Sequence, residues 1–268
     1  MEKQNSFKNK YGTWALVTGA SEGIGKDFSN ELAKRGFNLV LVARRKSILE
    51  ELGTKLRKEN SIEVQIIEAD LSNSNEVKKL ILNTKNLDIG LVVLAAGFGT
   101  SGEFVSIPVE EELNMIDLNC RAVVELTHSF ANQFKSNQKG GIVLFSSIVA
   151  FQGVARTATY AATKAFIQSF VEGIRTELKP YSVDVIACAP GPVNSGFGKR
   201  AKMKMGSAQN PEGIANETLN ALGKTNTVRP GFLSKLLGYS LSTLPRFGRS
   251  MVLNKIMSEM TGKKNENQ

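Results

Sequence analysis

The hydrophobic residues of this chain fall into short continuous runs that alternate with longer amphipathic stretches. The runs are rich in Val, Leu and Ile, which is typical of buried strands, and they cover residues 14–17, 38–43, 64–67, 91–95, 141–145 and 183–189. Between them, apolar residues recur at helical spacing, most clearly in residues 48–58, 108–134 and 160–179. Strands that alternate with helices indicate an α/β fold in which a doubly wound parallel sheet lies between two helical layers.

The length of the chain is compatible with one domain. It has 268 residues, of which 41% are hydrophobic, and α/β folds of this size commonly form a single core. We therefore predict one domain over residues 1–268, with the sheet and its site in residues 12–223 and a helical extension in residues 224–268. Within the extension, apolar residues repeat at helical spacing in two stretches that Pro245 separates.

Basic residues are concentrated near the C-terminus. Residues 1–195 carry 22 Lys and Arg against 21 Asp and Glu, whereas residues 196–268 carry 12 against 4. Three interpretations of this basic amphipathic extension stay open: it folds back to wall a pocket or a subunit interface, it contacts an anionic membrane surface, or it binds nucleic acid. We expect no nucleic-acid partner, because aromatic residues for base stacking are scarce.

Other features of the composition bear on location and on metal chemistry. Residues 1–10 are polar and lack the apolar segment of a signal peptide, and no run approaches the roughly 18 apolar residues that span a bilayer. The two cysteines, Cys120 and Cys188, and the one histidine, His128, do not form a ligand cluster in the sequence. We therefore expect a cytoplasmic protein without a metal site.

A glycine-rich segment follows the first predicted strand. It reads TGASEGIG over residues 18–25, and a helical pattern comes directly after it. In this context glycines let the backbone approach a ligand, and the helix N-terminus offers amide donors to a pyrophosphate. The spacing differs from G-x-G-x-x-G, yet the strand–turn–helix context favours nucleotide binding. The fourth predicted strand ends in small residues, Ala96 and Gly97, which also leave room for a ligand.

The second predicted strand ends at Arg44 and Arg45. An acidic residue here would accept hydrogen bonds from the adenosine ribose of NAD, whereas guanidinium groups pair with a 2′-phosphate. We therefore favour NADP over NAD, the alternative being that the two arginines only flank a solvated loop. Asp70, after the third strand, could bond the adenine amino group or cap the helix that begins near Asn73.

Ser147, Tyr160 and Lys164 form the candidate catalytic set. Tyr160 and Lys164 are four residues apart in a predicted helix and therefore project from one face. An ammonium beside a phenol favours the phenolate, so we expect the pKa of Tyr160 to lie below its usual value of about 10. Such a phenol can exchange a proton with an alcohol or carbonyl oxygen, and Ser147 could hydrogen-bond the same oxygen. The alternative is a solvated Tyr–Lys pair that arose by chance.

These motifs occur together in one known family. The chain resembles the short-chain dehydrogenases/reductases over residues 12–223, through TGASEGIG at 18–25, AD at 69–70, Asn119, Ser147, YAATK at 160–164 and PGPVNS at 190–195. The resemblance implies a Rossmann-type fold, an NAD(P) cofactor and a homodimer or homotetramer built on the long helices. Two positions depart from the family pattern: residues 94–97 read LAAG where NNAG is usual, and Ser195 replaces a threonine.

The resemblance also implies a role for each matched residue. Tyr160 is the expected general acid/base, and Ser147 orients the substrate oxygen. Lys164 lowers the phenol pKa and binds the nicotinamide ribose, while Asn119 supports a water relay. The expected cofactor contacts lie in the glycine turn, at the strand ends and after the sixth strand: Gly19, Ser21, Gly23, Ile24, Gly25, Arg44, Arg45, Asp70, Leu71, Ala96, Gly97, Tyr160, Lys164, Pro190, Gly191, Val193 and Ser195.

Residues 196–205 stand where the family has a mobile loop that closes over the substrate. One Phe, two Met and four cations indicate a lid that is apolar inside and basic outside, the alternative being a loop with no role in specificity. Together the motifs predict an NADP-dependent oxidoreductase that interconverts an apolar ketone or aldehyde and an alcohol. Two other functions stay open: a dinucleotide-binding sensor or scaffold with little turnover, and an NAD-dependent polyol dehydrogenase.

Overall fold

The computed structural model describes residues 2–204, 206 and 208–261, with the backbone alone for residues 2–6. The strands of this part of the chain are β1 (Trp14–Thr18), β2 (Asn38–Ala43), β3 (Val64–Glu68), β4 (Ile89–Leu94), β5 (Gly140–Phe145), β6 (Val183–Cys188) and β7 (Thr227–Val228). They form one sheet in the order β3-β2-β1-β4-β5-β6-β7, and every neighbouring pair is parallel. The predicted parallel sheet is confirmed, because continuous apolar runs mark strands that are buried on both faces.

Helices cover both faces of the sheet. They are α1 (Glu2–Tyr11), α2 (Gly23–Lys34), α3 (Lys46–Asn60), α4 (Ser74–Thr84), α5 (Val109–Ile116), α6 (Ala122–Asn137), α7 (Ala158–Leu178), α8 (Gly196–Arg200), α9 (Ile214–Ala221), α10 (Phe232–Ser242) and α11 (Arg246–Met260). One core cluster packs α2, α3 and α9 against the sheet, and another packs α4, α6 and α7. Successive strand residues alternate between the faces, so Val17 belongs to the first cluster and Leu16 to the second. The three-layer architecture is therefore confirmed.

The sheet reverses its winding between β1 and β4. From β1 the chain proceeds outward to β2 and β3, then crosses over to β4 and continues in the other direction. A crevice opens outside the carboxyl ends of the strands at such a point, and ligands of open α/β sheets bind there. Thr18 and Ala96 hold the two strand ends together, since the Ala96 amide donates a hydrogen bond to Thr18 Oγ1 at 3.0 Å.

The helix predicted over residues 108–134 is interrupted. It begins as α5 and continues as α6, but Asp117–Arg121 form a π-helical turn between them. π-Helical turns are rare in proteins, and those that occur are often found at functional sites. Asn119 lies within this turn and is only 2% exposed. Helical periodicity cannot reveal the turn, because the groups that bond Asn119, the Phe98 backbone and the Thr163 hydroxyl, belong to other segments.

The sheet extends further along the chain than predicted. Thr227 and Val228 pair with Ala187 and Cys188 of β6. The sheet therefore includes residues that we assigned to the helical extension of residues 224–268. Two residues are too few for a strand pattern to be visible in the sequence.

The N-terminal helix α1 is another element that the sequence pattern did not predict. Its last residue, Tyr11, is buried, and the phenol donates a hydrogen bond to Asp184 Oδ2 at 2.7 Å. Burial, with the neighbouring Asp184 carboxylate, raises the pKa of Tyr11 above its usual value. A tertiary contact with β6 therefore anchors a helix whose own sequence is polar.

The helices of the extension fold back onto the body of the molecule. Leu241 of α10 and two residues of α11, Leu253 and Met257, join a third core cluster that also contains Ile148 and Met203. Among the described residues, no helix is both long enough and apolar enough to cross a membrane.

Candidate active site

A cleft of about 410 Å³ opens at the carboxyl ends of the strands. Nearly all of the predicted site residues line it: Gly19, Ser21, Gly23, Ile24, Gly25, Arg44, Arg45, Asp70, Leu71, Ala96, Gly97, Ser147, Tyr160, Pro190, Gly191, Val193 and Ser195. The other two, Asn119 and Lys164, lie beneath this lining, each with a polar atom within 4 Å of a Cβ built on Gly97. The fold therefore brings the predicted residues to one place.

The glycine turn packs closely against the strand ends. Gly19 and Gly23 have φ values of +67° and +55°, which favour glycine. A Cβ on Gly19 would lie 2.9 Å from the Ala96 amide nitrogen. Glu22, the N-cap residue of α2, makes no side-chain cap hydrogen bond. The amides of this helix N-terminus are therefore left for a ligand, and the turn fits a pyrophosphate.

Arg44 and Arg45 both line the cleft, as the sequence predicts. Arg45 Nη2 donates a hydrogen bond to Ser21 Oγ at 2.9 Å, so the glycine turn orients this guanidinium group. Arg44 Nη1 lies 3.9 Å from Asp70 Oδ2, in a loose ion pair between side chains that are about half exposed. Both arginines therefore line the cleft, and their contact with a 2′-phosphate stays a prediction.

Asp70 does not cap a helix. The N-cap of α4 is Asn73, whose Oδ1 accepts a hydrogen bond from the Asn75 amide at 2.9 Å. Asp70 Oδ1 instead accepts hydrogen bonds from the amide and the hydroxyl of Ser72, at 3.1 and 2.8 Å. The capping alternative for Asp70 is wrong, and its contact with an adenine stays a prediction.

Two charged residues of the cleft, Arg200 and Glu22, were not identified from the sequence. The guanidinium carbon of Arg200 lies 3.8 Å from the centre of the Phe98 ring, and burial together with the charge of Arg44 lowers the pKa of Arg200. Glu22 Oε2 lies 2.7 Å from Arg45 Nη2 in an ion pair. The sequence shows that the lid is basic, but the cation that faces the cleft depends on how the lid folds.

Glu22 also contacts the lid segment. A Cβ on Gly196 would collide with the Glu22 carboxylate, so a larger residue there would displace this flexible, half-exposed side chain. Gly23 and Ser195 are also close, since a Cβ on Gly23 would lie 2.9 Å from the Ser195 Cβ. The glycine turn and the beginning of α8 therefore pack directly against each other.

Ser147, Tyr160 and Lys164 come together at the other end of the cleft. The Ser147 hydroxyl lies beside the Tyr160 phenol, and Ser147 Oγ accepts a hydrogen bond from the Val149 amide at 3.4 Å. Lys164 Nζ lies 5.6 Å from the centre of the Tyr160 ring and donates a hydrogen bond to the Phe145 carbonyl at 2.8 Å. Tyr160 and Lys164 are therefore neighbours on α7, as their spacing predicts.

The structure contradicts the predicted acidity of Tyr160. Burial raises the pKa of Tyr160 to about 12, and the neighbouring Ser147 hydroxyl opposes this effect only in part. Burial also lowers the pKa of Lys164 to about 8. The expectation that Lys164 brings the phenol pKa below its usual value is therefore wrong for this structure. Loss of hydration disfavours both charged forms, and the lysine ammonium is directed to a backbone carbonyl.

Asn119 connects three elements at the floor of the cleft. Its Nδ2 donates hydrogen bonds to the Phe98 carbonyl at 2.8 Å and to Thr163 Oγ1 at 3.1 Å. Its Oδ1 accepts a hydrogen bond from the Phe98 amide at 3.1 Å. The π-helical turn is thereby joined to the segment after β4 and to α7. A water relay through Asn119 stays a prediction.

The lid segment lies over Tyr160. The rings of Phe197 and Tyr160 have their centres 5.2 Å apart, and Met203 is buried in the adjoining cluster. The lysines of the segment are exposed: Lys199, Lys202 and Lys204. The predicted lid, apolar inside and basic outside, is confirmed for Phe197, Met203 and the three lysines but is wrong for Arg200, which lines the cleft. The predicted contribution of Met205 lies outside the described residues.

The C-terminal extension contributes to the cleft. Met257 and Met260 of α11 line it. Ser234 of α10 is buried, and its Oγ accepts a hydrogen bond from the Gly191 amide at 2.7 Å. Of the interpretations of the extension, folding back to wall the pocket is therefore confirmed. Ser234 was missed because a single serine in an apolar helical pattern carries no recognisable signal.

Comparison with known proteins places the chain among oxidoreductases. The family model described as short chain dehydrogenase matches residues 13–206. The 7beta-hydroxysteroid dehydrogenase of Clostridium sardiniense is 32% identical over 234 residues, which cover 86% of this chain and 90% of that protein. The very-long-chain 3-oxoacyl-CoA reductase of Coccidioides immitis is 31% identical over 246 residues, which cover 90% of this chain and 68% of that protein.

A solved structure shares the fold over almost its entire length. A short-chain dehydrogenase from Sphingobium yanoikuyae in complex with NADPH has a TM-score of 0.80 and 27% identity, and the alignment covers 95% of this chain and 99% of that chain.

Proposed function

The chain belongs to the short-chain dehydrogenase/reductase family and is an oxidoreductase that interconverts a carbonyl and an alcohol; we propose that Tyr160 moves the proton and that the ligands are NADP and an apolar ketone. One observation carries this proposal. Ser147 and Tyr160, whose hydroxyl groups are neighbours, line the same cleft as Arg44 and Arg45. The hydroxyl groups can act on a substrate oxygen while the arginines bind the phosphate-bearing part of a dinucleotide.

The arginine end of the cleft fits NADP better than NAD. Guanidinium groups from Arg44 and Arg45 stand where a carboxylate would select the ribose hydroxyls of NAD. The carboxylate of Glu22 also lies there, but it is paired with Arg45. The NADPH complex of the Sphingobium yanoikuyae protein supports the same preference.

Each part of the dinucleotide has residues in the cleft that suit it. The glycine turn (Gly19, Ser21, Gly23, Ile24 and Gly25) would hold the pyrophosphate, because its amides and small residues permit close approach. Asp70 and Leu71 would flank the adenine. The nicotinamide end would lie along the small residues after β4 and the segment after β6: Ala96, Gly97, Pro190, Gly191, Val193 and Ser195.

Tyr160 is in the acid form that carbonyl reduction needs. With a pKa of about 12, its phenol is protonated at neutral pH and can donate a proton to a carbonyl oxygen bound beside it. Ser147 would donate a hydrogen bond to the same oxygen and stabilise the charge that develops there. When bound, the nicotinamide supplies the hydride.

Lys164 and Asn119 support the proton transfer. After reduction Tyr160 must regain a proton, and an ammonium at Lys164 lowers the free energy of the intervening phenolate. Lys164 would also bind the nicotinamide ribose, because its Nζ lies beside Gly97 at the proposed nicotinamide end of the cleft. Asn119 would hold the water through which the proton returns, since its side chain lies beneath Gly97 beside Lys164.

The substrate end of the cleft favours an apolar molecule. Its wall is formed by Ile148, Phe197, Met203, Met257 and Met260. Methionine side chains adapt their shape to bulky apolar ligands. The relatives whose names indicate a steroid or a very-long-chain acyl substrate support a lipophilic ketone.

A substrate panel tests this proposal. We expect NADPH oxidation, followed by its absorbance, with steroid ketones, long-chain 3-oxoacyl thioesters or bulky aryl ketones, and little oxidation with a keto sugar of low lipophilicity. Oxidation of a polyol with NAD at a comparable rate would favour the polyol dehydrogenase. Cofactor binding without turnover of any carbonyl or alcohol would favour the sensor or scaffold.

We also propose a homodimer or homotetramer in the cytoplasm. Val109 and Leu113 of α5 and Phe166 of α7 are exposed on the long helices, and pairing these faces between copies would bury them. Sedimentation velocity of the wild type and of Leu113→Glu tests the assembly, with a smaller species expected for the variant. Cell fractionation tests the location.

A further inference from the structure

The outer sides of α10 and α11 carry large apolar side chains that the molecule itself does not cover. Phe232, Tyr239 and Phe247 are 81%, 79% and 75% exposed, and Leu236 and Met251 are also exposed. Phe232, Leu236 and Tyr239 are spaced four and three residues apart, so they lie on one face of α10, and Phe247 and Met251 are four apart on α11. We call these five residues the tail surface.

Basic residues surround the tail surface. Residues 229–261 contain five Lys and Arg and one Glu, and residues 196–204 contain four Lys and Arg and no acidic residue. The lid lies beside the end of α11, because the Lys204 amide donates a hydrogen bond to the Met260 carbonyl at 2.8 Å. Arg246, Lys255 and Lys202 are exposed. The region therefore combines exposed aromatic and aliphatic groups with an excess of positive charge.

The tail surface is close to the substrate end of the cleft. Met257 and Met260 on the inner side of α11 line the cleft, whereas Phe247 and Met251 project from the outer side of the same helix. The α11 part of the tail surface, Phe247 and Met251, is therefore separated from the cleft by this one helix. A partner seated on that surface would lie within one helix diameter of the cleft wall.

We propose that the tail surface docks this protein on an anionic lipid bilayer. Phe, Tyr, Leu and Met side chains enter the boundary between headgroups and acyl chains, while Lys and Arg pair with anionic headgroups. A second copy of the chain is a poorer partner, since a two-fold contact places the same surface against itself. Arg246 and Lys255 of both copies would then approach each other with few carboxylates to offset them. This docking is a property separate from the proposed reaction, and it can be measured without turnover.

Vesicle sedimentation of the full-length protein tests the proposal. We expect the protein to sediment with vesicles of phosphatidylcholine mixed with phosphatidylglycerol, much less with phosphatidylcholine alone, and less again as salt is added. Phe247→Ser combined with Met251→Ser should weaken binding roughly tenfold. Arg246→Gln and Lys255→Gln should each weaken it roughly fivefold.

Matched substitutions elsewhere serve as controls. Leu82 on α4 is 68% exposed, so Leu82→Ser removes an equally accessible apolar group, and Lys58→Gln removes an exposed cation from α3. Both controls should bind vesicles as the wild type does, and unchanged circular dichroism should show that all variants fold. The proposal is overturned if the wild type ignores anionic vesicles or if the controls weaken binding as much as the tail variants. It is also overturned if Phe247→Ser with Met251→Ser reduces only the assembly size.

Discussion

Asn119 binds both backbone polar groups of Phe98: its Nδ2 donates to the carbonyl at 2.8 Å, and its Oδ1 accepts from the amide at 3.1 Å. Both residues are buried, and Phe98 lines the cleft directly after the small residues of the β4 end. Phe98 lies beyond the end of β4, and the Asn119 side chain supplies the backbone hydrogen bonds that a neighbouring strand would otherwise make. The path of the chain beside the proposed nicotinamide position therefore depends on Asn119.

Asn119→Ala should destabilise the protein and slow turnover. The substitution leaves the buried amide and carbonyl of Phe98 without partners, so we expect the free energy of unfolding in urea to fall by about 2–4 kcal/mol. Asn132→Ala on α6 is the matched control, because Asn132 is exposed and its Nδ2 bonds only to groups of His128. Equal stability of the two variants would contradict the role given to Asn119.

Tyr160→Phe should remove activity and leave cofactor binding nearly unchanged. Only the proton donor is lost, so kcat for ketone reduction should fall about 10²- to 10⁴-fold. The Kd for NADPH, measured by quenching of the protein fluorescence, should stay within about twofold of the wild-type value, because the lost hydroxyl acts in the reaction and not in cofactor binding. Tyr181→Phe, whose ring stacks under Lys135 on the surface, controls for loss of a phenol elsewhere. A Tyr160→Phe variant that turns over normally would show that the proton comes from another group.

NADPH should bind at least about tenfold more tightly than NADH, as charge-assisted hydrogen bonds from Arg44 and Arg45 to a 2′-phosphate imply. Arg44→Ala and Arg45→Ala should each reduce this ratio of affinities, because they weaken the binding of NADPH and leave the binding of NADH unchanged. Lys46→Ala removes an exposed charge just beyond the cleft and should leave the ratio as it is. Calorimetric titration gives both affinities. Equal wild-type affinities would refute the NADP preference.

The buried ammonium of Lys164 should make stability increase with pH. Its pKa falls from the ordinary 10.5 to about 8 in the folded protein, so between these values the unfolded chain binds the proton more strongly. The free energy of unfolding attributable to Lys164 should therefore rise from pH 8 to pH 10, by up to about 3 kcal/mol.

Comparison with Lys164→Met isolates this effect, because the other titrating groups are shared by the two proteins. Urea unfolding of the cofactor-free proteins at about pH 7 and about pH 10 is the measurement. The wild type should gain stability relative to Lys164→Met as the pH rises. A constant difference would mean that Lys164 keeps an ordinary pKa despite its burial. Tyr160 loses its proton near pH 10 in the unfolded chain but keeps it in the folded protein, where its pKa is about 12, and this contribution cancels because both proteins contain Tyr160.

Ser234→Ala should weaken the contact by which α10 supports the segment after β6, which contains Gly191 and is proposed to hold the nicotinamide end of the cofactor. The change leaves the Gly191 amide without the acceptor that it now has at 2.7 Å. We expect the free energy of unfolding to fall by about 1–3 kcal/mol and the KM for NADPH to rise. Ser240→Ala, at an exposed position of the same helix, should change neither quantity. Equal stability and equal KM for NADPH in the two variants would mean that α10 does not support the cofactor site through Ser234.

Local features of the sequence were sufficient for the sheet and for the place of the site. Strands that are buried on both faces must be apolar throughout, so six of them could be read from continuous hydrophobic runs. The glycine turn was equally visible, because a Cβ at Gly19 or Gly25 would meet the backbone. The carboxyl ends of parallel strands share one edge, and motifs that follow the strands therefore converge there.

Tertiary structure alone decided the electrostatics and the partners of the site. The four-residue spacing of Tyr160 and Lys164 predicts that they are neighbours, but the surrounding core determines how little water reaches them, and burial reversed the expected pKa shift of the phenol. The partners of Glu22, Asn119 and Ser234 come from distant segments. Residue spacing reports which side chains share a face of one element, whereas hydration and pairing depend on every element that packs against it.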